Sequence, residues 1–362
     1  MRINHQHNEN KKEKIEMPKD VQGIIRERIP VVFSVDNHYA LYLSVTIRSI
    51  LEHSSPENDY ELIVMEEDLS ESNKQLIASI IKGKNNFSIH FQHITLFENH
   101  ERNLFQTASY ISSITYCRLF IADLLKDYNK IIYLDSDLII KKDLSNLFEI
   151  DVENSYLAAG HEWICLSRSF RRYLKASLRL RVPCEEYFAA GHLVMNLKKI
   201  RNDQLLQKFM QVLQEKKHLR AADQDVLNLV CQGMVVFLPP EWNICWHWKD
   251  CLSPCLLEKY HAYGSPGTHP ALIHYASDRK PWNSPEKELA DEWWLYANML
   301  PFKEEIQKKA LEDRCRFLQN NYDMIVNSIP WKITKPLRNF YDFVKFDLPE
   351  ILKLLTGQRN VK

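Results

Sequence analysis

The segment from Ile131 to Asp137 constrains this chain more than any other, because four apolar or aromatic residues run directly into two aspartates separated by one serine. An unbroken apolar run of this length is typical of a strand buried on both faces, as in a parallel sheet. Asp135 would then lie at the carboxyl end of that strand, where open α/β sheets bind their ligands. Clustered carboxylates repel each other unless a cation joins them, so the pair predicts a divalent metal site. The alternative is that both aspartates only cap a turn or the next helix.

Strand and helix patterns alternate ahead of this segment. Residues 29–35, 62–65 and 89–94 have the apolar content of buried strands, and residues 43–51 and 70–83 carry apolar side chains at helical spacing. This order is the pattern of a doubly wound α/β sheet. The 362 residues are enough for one large domain with appendages or for two modest ones.

Composition excludes several classes of protein. The formal net charge is zero, which gives no case for a broad nucleic-acid-binding surface, and no apolar run is long enough to span a bilayer. None of the 8 glycines forms a common phosphate-binding loop, so a bound phosphate would be held by a metal ion and side-chain cations. The 8 cysteines are scattered and no signal peptide is evident, which favours reduced thiols in a cytosolic protein.

Two segments that precede the central strand carry candidate ligand contacts. Asp36 follows the first strand and is suited to bind a uracil or ribose edge, although an Asx-turn ahead of the next helix would also explain it. Arg118 begins the helix before the central strand and is suited to clamp a phosphate or sugar hydroxyls, with a surface position as the alternative.

Three later segments add further candidates. Residues 187–196 read as a loop that enters a strand, and the small residues at its start would let a ligand approach the backbone. Asp223 is either a ligand contact or a helix N-cap, with Gln224 in the first turn of a helix that points into a cleft. His274 ends a short strand and could complete the metal site or be structural, and Lys280 could place a charge on a phosphate.

Taken together, these segments resemble glycosyltransferase family 8 over about residues 29–285. Six blocks occur in the family's order: residues 32–36, 115–118, 133–137, 187–196 and 223–225, and finally His274 with Lys280-Pro281-Trp282. The resemblance implies a GT-A fold in residues 29–300, after a disordered or loosely attached N-terminus (1–28) and before a helical, basic and aromatic extension (301–362). It also implies a UDP-sugar donor, Mn²⁺ or else Mg²⁺, and transfer with retention at the anomeric carbon.

The resemblance assigns roles residue by residue. Asp135, Asp137 and His274 match metal ligands, and Lys280 matches a pyrophosphate contact. The residues that match catalytic donor-sugar contacts are Arg118, Asp223 and Gln224. The other residues that match the nucleotide and donor site are Ser34, Asp36, Tyr39, Ser136, Ala190, Gly191 and Ser277.

Three positions depart from the family's commonest pattern. Ala189 replaces an asparagine, Glu162 stands where aspartate is frequent, and Ser277 replaces a glycine. These changes leave the metal and pyrophosphate residues intact and bear on the identity of the sugar. Gln224 is a poor nucleophile, so retention through front-face attack and retention through a carboxylate nucleophile both stay open.

The expected function is transfer of a hexose, glucose or galactose favoured, to a hydroxyl of a saccharide or lipid-linked acceptor in lipopolysaccharide or other surface-glycan synthesis. A UDP-sugar-binding protein without turnover is the alternative, and a nucleotidyltransferase is disfavoured because the chain lacks that class's glycine-rich loop. From Trp331 onward, apolar residues at helical spacing accompany lysines and arginines. This pattern indicates either peripheral contact of a cytoplasmic protein with the inner face of the plasma membrane or a terminal helix packed on the domain.

Overall fold

The computed structural model of this chain describes residues 27–95, 105, 112–216, 218–245, 269–342 and 345. The strands are β1 (Arg28–Val35), β2 (Asp59–Glu66), β3 (Phe87–His93), β4 (Lys130–Leu134), β5 (Leu138–Ile140), β6 (Leu157–His161), β7 (Phe188–Asn196), β8 (Val235–Phe237), β9 (Ile244–Cys245) and β10 (Leu272–His274). The α-helices are α1 (Ala40–His53), α2 (Glu71–Ser79), α3 (Ile121–Leu124), α4 (Ser145–Phe148), α5 (Arg168–Arg172), α6 (Leu197–Asn202), α7 (Leu205–Glu215), α8 (Ala222–Cys231), α9 (Ala290–Ala297), α10 (Lys303–Asn327), α11 (Ile329–Ile333) and α12 (Lys335–Asp342). Tighter 3₁₀ turns span Ser113–Leu119, Trp163–Leu166, Cys184–Glu186 and Pro240–Trp242, and a π-helix spans Tyr173–Leu178.

A mixed seven-stranded sheet forms the centre, in the order β3-β2-β1-β4-β7-β6-β8. Strands β1, β2, β3 and β4 are parallel to one another, whereas β7 is antiparallel to both β4 and β6. The predicted strand at residues 131–134 is confirmed as β4, whose residues Ile131 to Leu134 have no exposed surface. The α/β class expected from the sequence is therefore confirmed, with the two aspartates directly beyond the buried central strand.

A second, three-stranded sheet in the order β5-β10-β9 completes the region beyond β4. Strand β5 follows Asp137 immediately, and β10 pairs with it in antiparallel register so that His274 lies opposite Leu138. The main-chain N–H of Tyr275 donates to the carbonyl of Asp137 at 3.1 Å. This pairing brings His274 to the aspartates although it lies far away in the chain.

Two expected local structures differ in detail. Residues 115–118 belong to a 3₁₀ helix rather than the start of an α-helix. Residues 188–191 are already part of β7: Phe188 pairs with His161 of β6 across a register shift, and the Gly191 carbonyl accepts from the Asp135 N–H beyond β4. Their small side chains therefore lie in a paired strand and not in a loop.

The C-terminal helices differ in how they meet the domain. At the start of α10, Ile306 and Ala310 lie in the core that also holds α1. Beyond Leu311, most of the described large apolar side chains of α10 to α12 are exposed, among them Leu318, Ile325, Ile329, Ile333 and Leu337. In the part of the chain described, no helix combines the length and apolar character needed to span a membrane.

Candidate active site

A cavity of about 270 Å³ opens at the carboxyl ends of β1 and β4 and extends across β7 towards α8. Of the fourteen site residues named from the sequence, all except Ala190 line it. These are Ser34, Asp36, Tyr39, Arg118, Asp135, Ser136, Asp137, Gly191, Asp223, Gln224, His274, Ser277 and Lys280. The backbone of Ala190 still takes part, since its N–H and carbonyl bond to Gln224 and Arg118.

Asp135, Asp137 and His274 form a cluster whose potential ligand atoms all lie within 4.8 Å of one another. His274 Nε2 is 3.5 Å from Asp137 Oδ1 and 3.9 Å from Asp135 Oδ2. The buried Oδ1 of Asp137 has no hydrogen-bond partner, which leaves an acceptor directed into the cluster. Two carboxylates and one imidazole are a donor set suited to a divalent cation, so these residues fit the metal expected from the sequence.

Gly191 forms one wall of this cluster. A Cβ at this position would lie 2.7 Å from Asp135 Oδ2 and closer still to the His274 ring. The carbonyl of Gly191 also accepts the main-chain N–H of Asp135 at 2.8 Å, which fixes β7 against the end of β4. Glycine is therefore required here for space, because any side chain would displace the candidate ligands.

Lys280 supplies the nearest permanent positive charge. Its Nζ lies 2.5 Å from Asp137 Oδ2 and donates to the carbonyl of Tyr275 at 2.9 Å. Burial works against ionisation of Asp137, but the Lys280 ammonium and His274 outweigh it and hold the pKa of Asp137 below its usual value. For Asp135, burial dominates and raises the pKa of the carboxyl. The two aspartates are thus electrostatically different.

Arg118 connects the metal cluster to the other end of the cavity. Its guanidinium contacts Asp135 Oδ1 at 2.7 Å, Asp223 Oδ2 at 2.8 Å and the carbonyl of Ala190 at 2.5 Å. Thr115 Oγ1 accepts from Arg118 and donates to Asp223 Oδ1 at 2.9 Å. The surface alternative for Arg118 is therefore wrong, because the side chain is only 5% exposed.

Asp223 is not the N-cap of α8. The capping position is Ala221, and Asp223 lies inside the first turn with its carboxylate directed at Arg118. Burial, opposed by Arg118 and reinforced by Asp135, raises the pKa of Asp223 to about 6. One guanidinium shared by the carboxylates of Asp223 and the half-buried Asp135 leaves a negative charge uncompensated, which explains why the pKa of an ion-paired aspartate is still raised.

Gln224 is held by hydrogen bonds at both ends of its amide. Its Oε1 accepts from the Ala190 N–H at 2.9 Å, and its Nε2 donates to Glu162 Oε2 at 3.3 Å and the Tyr187 hydroxyl at 3.4 Å. Glu162 is 5% exposed, and burial raises the pKa of its carboxyl. The amide is therefore presented to the cavity in one orientation.

Asp225 fixes the chain that leads into α8. It is fully buried and accepts from the hydroxyls of Tyr173 and Tyr187 at 2.6 and 2.7 Å. It also accepts from the main-chain N–H groups of Arg220 and Ala221 at 2.8 and 2.9 Å. These bonds fix the start of α8, where Ala222 adopts a left-handed φ of 47°.

The opposite end of the cavity lies beside β1. Ser34 Oγ is 2.6 Å from the Tyr133 hydroxyl, and Asp36 Oδ1 accepts from the Tyr39 N–H at 2.9 Å. Asp36 thus makes the local turn bond considered from the sequence while it also lines the cavity. Burial raises the pKa of Tyr39 to about 12.

Ser277, the residue that replaces a common glycine, has a φ of 91°. Residues other than glycine rarely adopt this backbone conformation, which explains why glycine suits the position. Ala189, the second departure, is 2% exposed and is not among the described residues that line the cavity.

Sequence reasoning did not place Thr115, Glu162, Ile164, Phe170 and Arg220 in the site, yet all five line the cavity. Thr115 was visible within a matching block, and Glu162 was visible as a departure from the family pattern. The other three lie in segments without a recognisable motif. Only the fold brings them to the cavity.

Comparison with known proteins shows the family and the fold of this chain. The family model "Glycosyl transferase family 8" matches residues 30–286. A lipopolysaccharide 1,2-glucosyltransferase of Escherichia coli (strain K12) is 28% identical over 206 residues, which are 56% of each chain. The bifunctional glycosyltransferase WbbM superposes with a TM-score of 0.65 at 28% identity, covering 80% of this chain and 53% of WbbM.

A third match is the galactosyltransferase LgtC, solved with donor and acceptor sugar analogues. It has a TM-score of 0.63 at 25% identity, covering 75% of this chain and 96% of LgtC. The chain spans only about half the length of the Escherichia coli relative and of WbbM. The fold shared with WbbM and LgtC is the expected GT-A fold, and the family match covers most of the chain. This chain therefore belongs to glycosyltransferase family 8.

Proposed function

We propose that this protein transfers glucose or galactose from a UDP-sugar, with retention of anomeric configuration, to a hydroxyl of a saccharide or lipid-linked saccharide acceptor. The observation that carries the proposal is the distribution of groups along one cavity. Asp135, Asp137 and His274 lie together with Lys280, and the fixed Arg118–Asp223–Gln224 group lies beside them, joined through the Arg118–Asp135 ion pair. A diphosphate and a sugar placed along this cavity would meet groups suited to each.

The cluster of Asp135, Asp137 and His274, together with Lys280, suits the diphosphate of the donor. Asp135, Asp137 and His274 would hold Mn²⁺ or Mg²⁺, and the imidazole nitrogen favours Mn²⁺. A divalent ion supplies positive charge for the negative charge that develops on a leaving diphosphate. Lys280 is 6% exposed and keeps its proton, because Asp137 outweighs the burial that would otherwise lower its pKa, so it would place a second positive charge there.

The group formed by Arg118, Asp223 and Gln224 suits the sugar. Arg118 and Asp223 are fixed by several partners each and can bind sugar hydroxyls without reorganising. The group presented by Gln224 is an amide, a poor nucleophile, and its two ends are already engaged. We therefore favour attack by the acceptor hydroxyl on the face from which the phosphate departs, over a covalent intermediate on this residue.

The acceptor assignment rests on the relatives. The names of two of them specify a lipopolysaccharide glucosyltransferase and a galactosyltransferase. By analogy, we assign this chain to the synthesis of lipopolysaccharide or another surface glycan. A glycan built at a bilayer requires the enzyme to work close to that surface.

The C-terminal helices support peripheral contact with the inner face of the plasma membrane. Ile329, Ile333 and Leu337 are more than 70% exposed, and Lys332 and Lys335 lie among them. Exposed apolar side chains interspersed with lysines suit an interface with anionic lipid. The rest of the extension, residues 343–344 and 346–362, lies outside the described residues, so whether the terminal helix packs on the domain stays a prediction.

The test is nucleotide release from a panel of sugar donors with Mn²⁺. We expect UDP release from UDP-glucose or UDP-galactose, its loss in Asp137→Ala and in excess EDTA, and its recovery when Mn²⁺ is restored. Binding of UDP-sugar without release would favour a binding protein, and release of pyrophosphate would favour a nucleotidyltransferase. Full activity in excess chelator would overturn the metal assignment.

A further inference from the structure

Positive charge is concentrated in one short segment of this otherwise neutral chain. Residues 168–183 contain six cationic side chains and no acidic one, whereas the whole chain has 47 Lys and Arg against 47 Asp and Glu. The six are Arg168, Arg171, Arg172, Lys175, Arg179 and Arg181. Arg171 pairs with Glu185, and the other five are exposed with no acidic partner among the described residues. Such a concentration creates a local positive potential.

The fold directs these charges outward from a packed support. Phe170, Tyr173, Leu174 and Leu178 are buried in a separate small core together with Trp163 and Tyr187. The other face of the same helical segment carries Arg168, Arg172 and Lys175, which are spaced i, i+4 and i+7. We refer to the five exposed cations of residues 168–181 as the basic face.

Arg220 connects the basic face to the cavity. It lines the cavity, and its guanidinium lies 4.8 Å from the centre of the Tyr173 ring. Its main chain is anchored by Asp225, as described above, but its side chain is exposed. The other cavity cations, Arg118 and Lys280, are both ion-paired, whereas Arg220 has no carboxylate partner in the described chain.

The order of the strands places this cation away from the donor's diphosphate. Asp36 and Tyr39 follow β1, which lies on one side of β4. Ile164 and Phe170 follow β6, which lies two strands away on the other side of β4, and Arg220 directly precedes the N-terminus of α8, which carries Gln224. Arg220 therefore borders the part of the cavity beyond the donor sugar, where an acceptor would enter, and the segment that carries the basic face reaches this part through Phe170 and Tyr173.

We propose that Arg220, with the basic face behind it, recognises an anionic group, a phosphate or a carboxylate, on the acceptor saccharide. The inference rests on the proposed function, since it takes the cavity as a site of sugar transfer. Guanidinium groups bind phosphate and carboxylate through two parallel hydrogen bonds, and the Tyr173 ring holds this one in place. The specificity of the enzyme for its acceptor would then depend on charge as well as on sugar identity.

Binding of matched oligosaccharide pairs tests this directly. One pair is trigalacturonate and its methyl ester, and the other is maltotriose with and without a 6-phosphate. Dissociation constants are measured for the full-length protein, with and without UDP and Mn²⁺, at low and high salt. We expect the charged member of at least one pair to bind at least tenfold more tightly, which corresponds to about 1.4 kcal/mol. This margin should shrink in high salt.

Variants test whether Arg220 causes this margin, the ratio of the dissociation constants of the uncharged and charged members of a pair. Arg220→Gln should abolish it, Arg220→Lys should keep part of it, and Arg168→Gln/Arg172→Gln should reduce it. Lys82→Gln, which removes an exposed cation elsewhere in the chain, should change neither the margin nor UDP release. Equal binding of both members of each pair by the wild type, or an unchanged margin in Arg220→Gln, would overturn the proposal.

Two further outcomes distinguish this proposal from binding of the basic face to lipid and from failure of the proposed function. If the basic-face variant loses sedimentation with phosphatidylglycerol vesicles but keeps the oligosaccharide margin, the surface serves lipid and the acceptor assignment is wrong. If the wild type shows no UDP binding in the same titrations, the proposed function fails while the charge preference is still measured.

Discussion

Replacing Gly191 with alanine is expected to disable the metal site without removing any ligand. The added Cβ would lie 2.7 Å from Asp135 Oδ2, whereas ordinary contacts begin near 3.4 Å, so the ligand must move by about 0.7 Å. The backbone cannot yield instead, because the Gly191 carbonyl is bonded to the Asp135 N–H. Overpacking of this kind costs about 1–3 kcal/mol of stability.

The larger effect should fall on function. A shift of this size in a metal ligand is expected to weaken Mn²⁺ binding by roughly 10- to 100-fold and to slow UDP release by about 100-fold. Calorimetric titration of Mn²⁺ and single-turnover UDP release with UDP-glucose and UDP-galactose would measure both effects.

Gly160→Ala is the matched control. Its Cβ would lie 2.5 Å from the Cβ of Asn243, which is equally crowded but is not part of the metal cluster. We expect it to lower the melting temperature by a similar amount and to leave Mn²⁺ affinity unchanged. If Gly191→Ala binds Mn²⁺ as tightly as the wild type, or if Gly160→Ala weakens it equally, the steric argument is wrong.

Other predictions follow from single contacts. Arg118→Met leaves the buried Asp223 and the half-buried Asp135 without their partner and should lower the free energy of unfolding by about 3–5 kcal/mol in urea titrations, whereas a loss below 1 kcal/mol would show that the ion pairs matter little. Ser277→Gly relieves the strain at φ 91° and should raise stability by roughly 1 kcal/mol, measured by thermal unfolding; a lower melting temperature would contradict this. With Mn²⁺ present, UDP should raise the melting temperature more than GDP or CMP, and a larger shift with GDP would overturn the choice of donor. Ile329→Asn/Ile333→Asn/Leu337→Asn should reduce sedimentation with anionic vesicles and leave UDP release intact, and unchanged sedimentation would refute the membrane surface.

The sequence reveals those parts of the fold and site whose signal is local. The apolar run before Asp135 is long enough to identify a buried strand, and the acidic pair directly after it is visible without any tertiary information. A short strand ending at His274 was expected and is confirmed as β10, but β5 was not expected, and three residues are too few for a pattern to indicate that the two strands pair. The approach of His274 to Asp137 therefore came from family resemblance and was explained only by the strand register.

The electrostatic partners are likewise a product of tertiary structure. That Arg118 is shared between Asp135 and Asp223 depends on the distance between three segments that are remote in sequence. The N-cap alternative for Asp223 was wrong, because the buried guanidinium competes for its carboxylate more strongly than the helix terminus does. Arg220 carries no motif, and its importance follows only from its place between the cavity and the basic face.

The small sheet of β5, β10 and β9 has a consequence for how metal occupancy couples to folding. In proteins such as zinc fingers, an ion gathers ligands that the unfolded chain keeps apart, so chelation unfolds the domain. Here the antiparallel pairing of β10 with β5 already brings His274 beside Asp137, and the fully buried residues Ile139, Ile140 and Ile273 stabilise that pairing. The entropy lost when the long segment between β5 and β10 is closed is offset by hydrophobic burial and not by metal coordination. A chelator should therefore stop turnover while leaving cooperative unfolding intact, and the ion should exchange without reopening the fold.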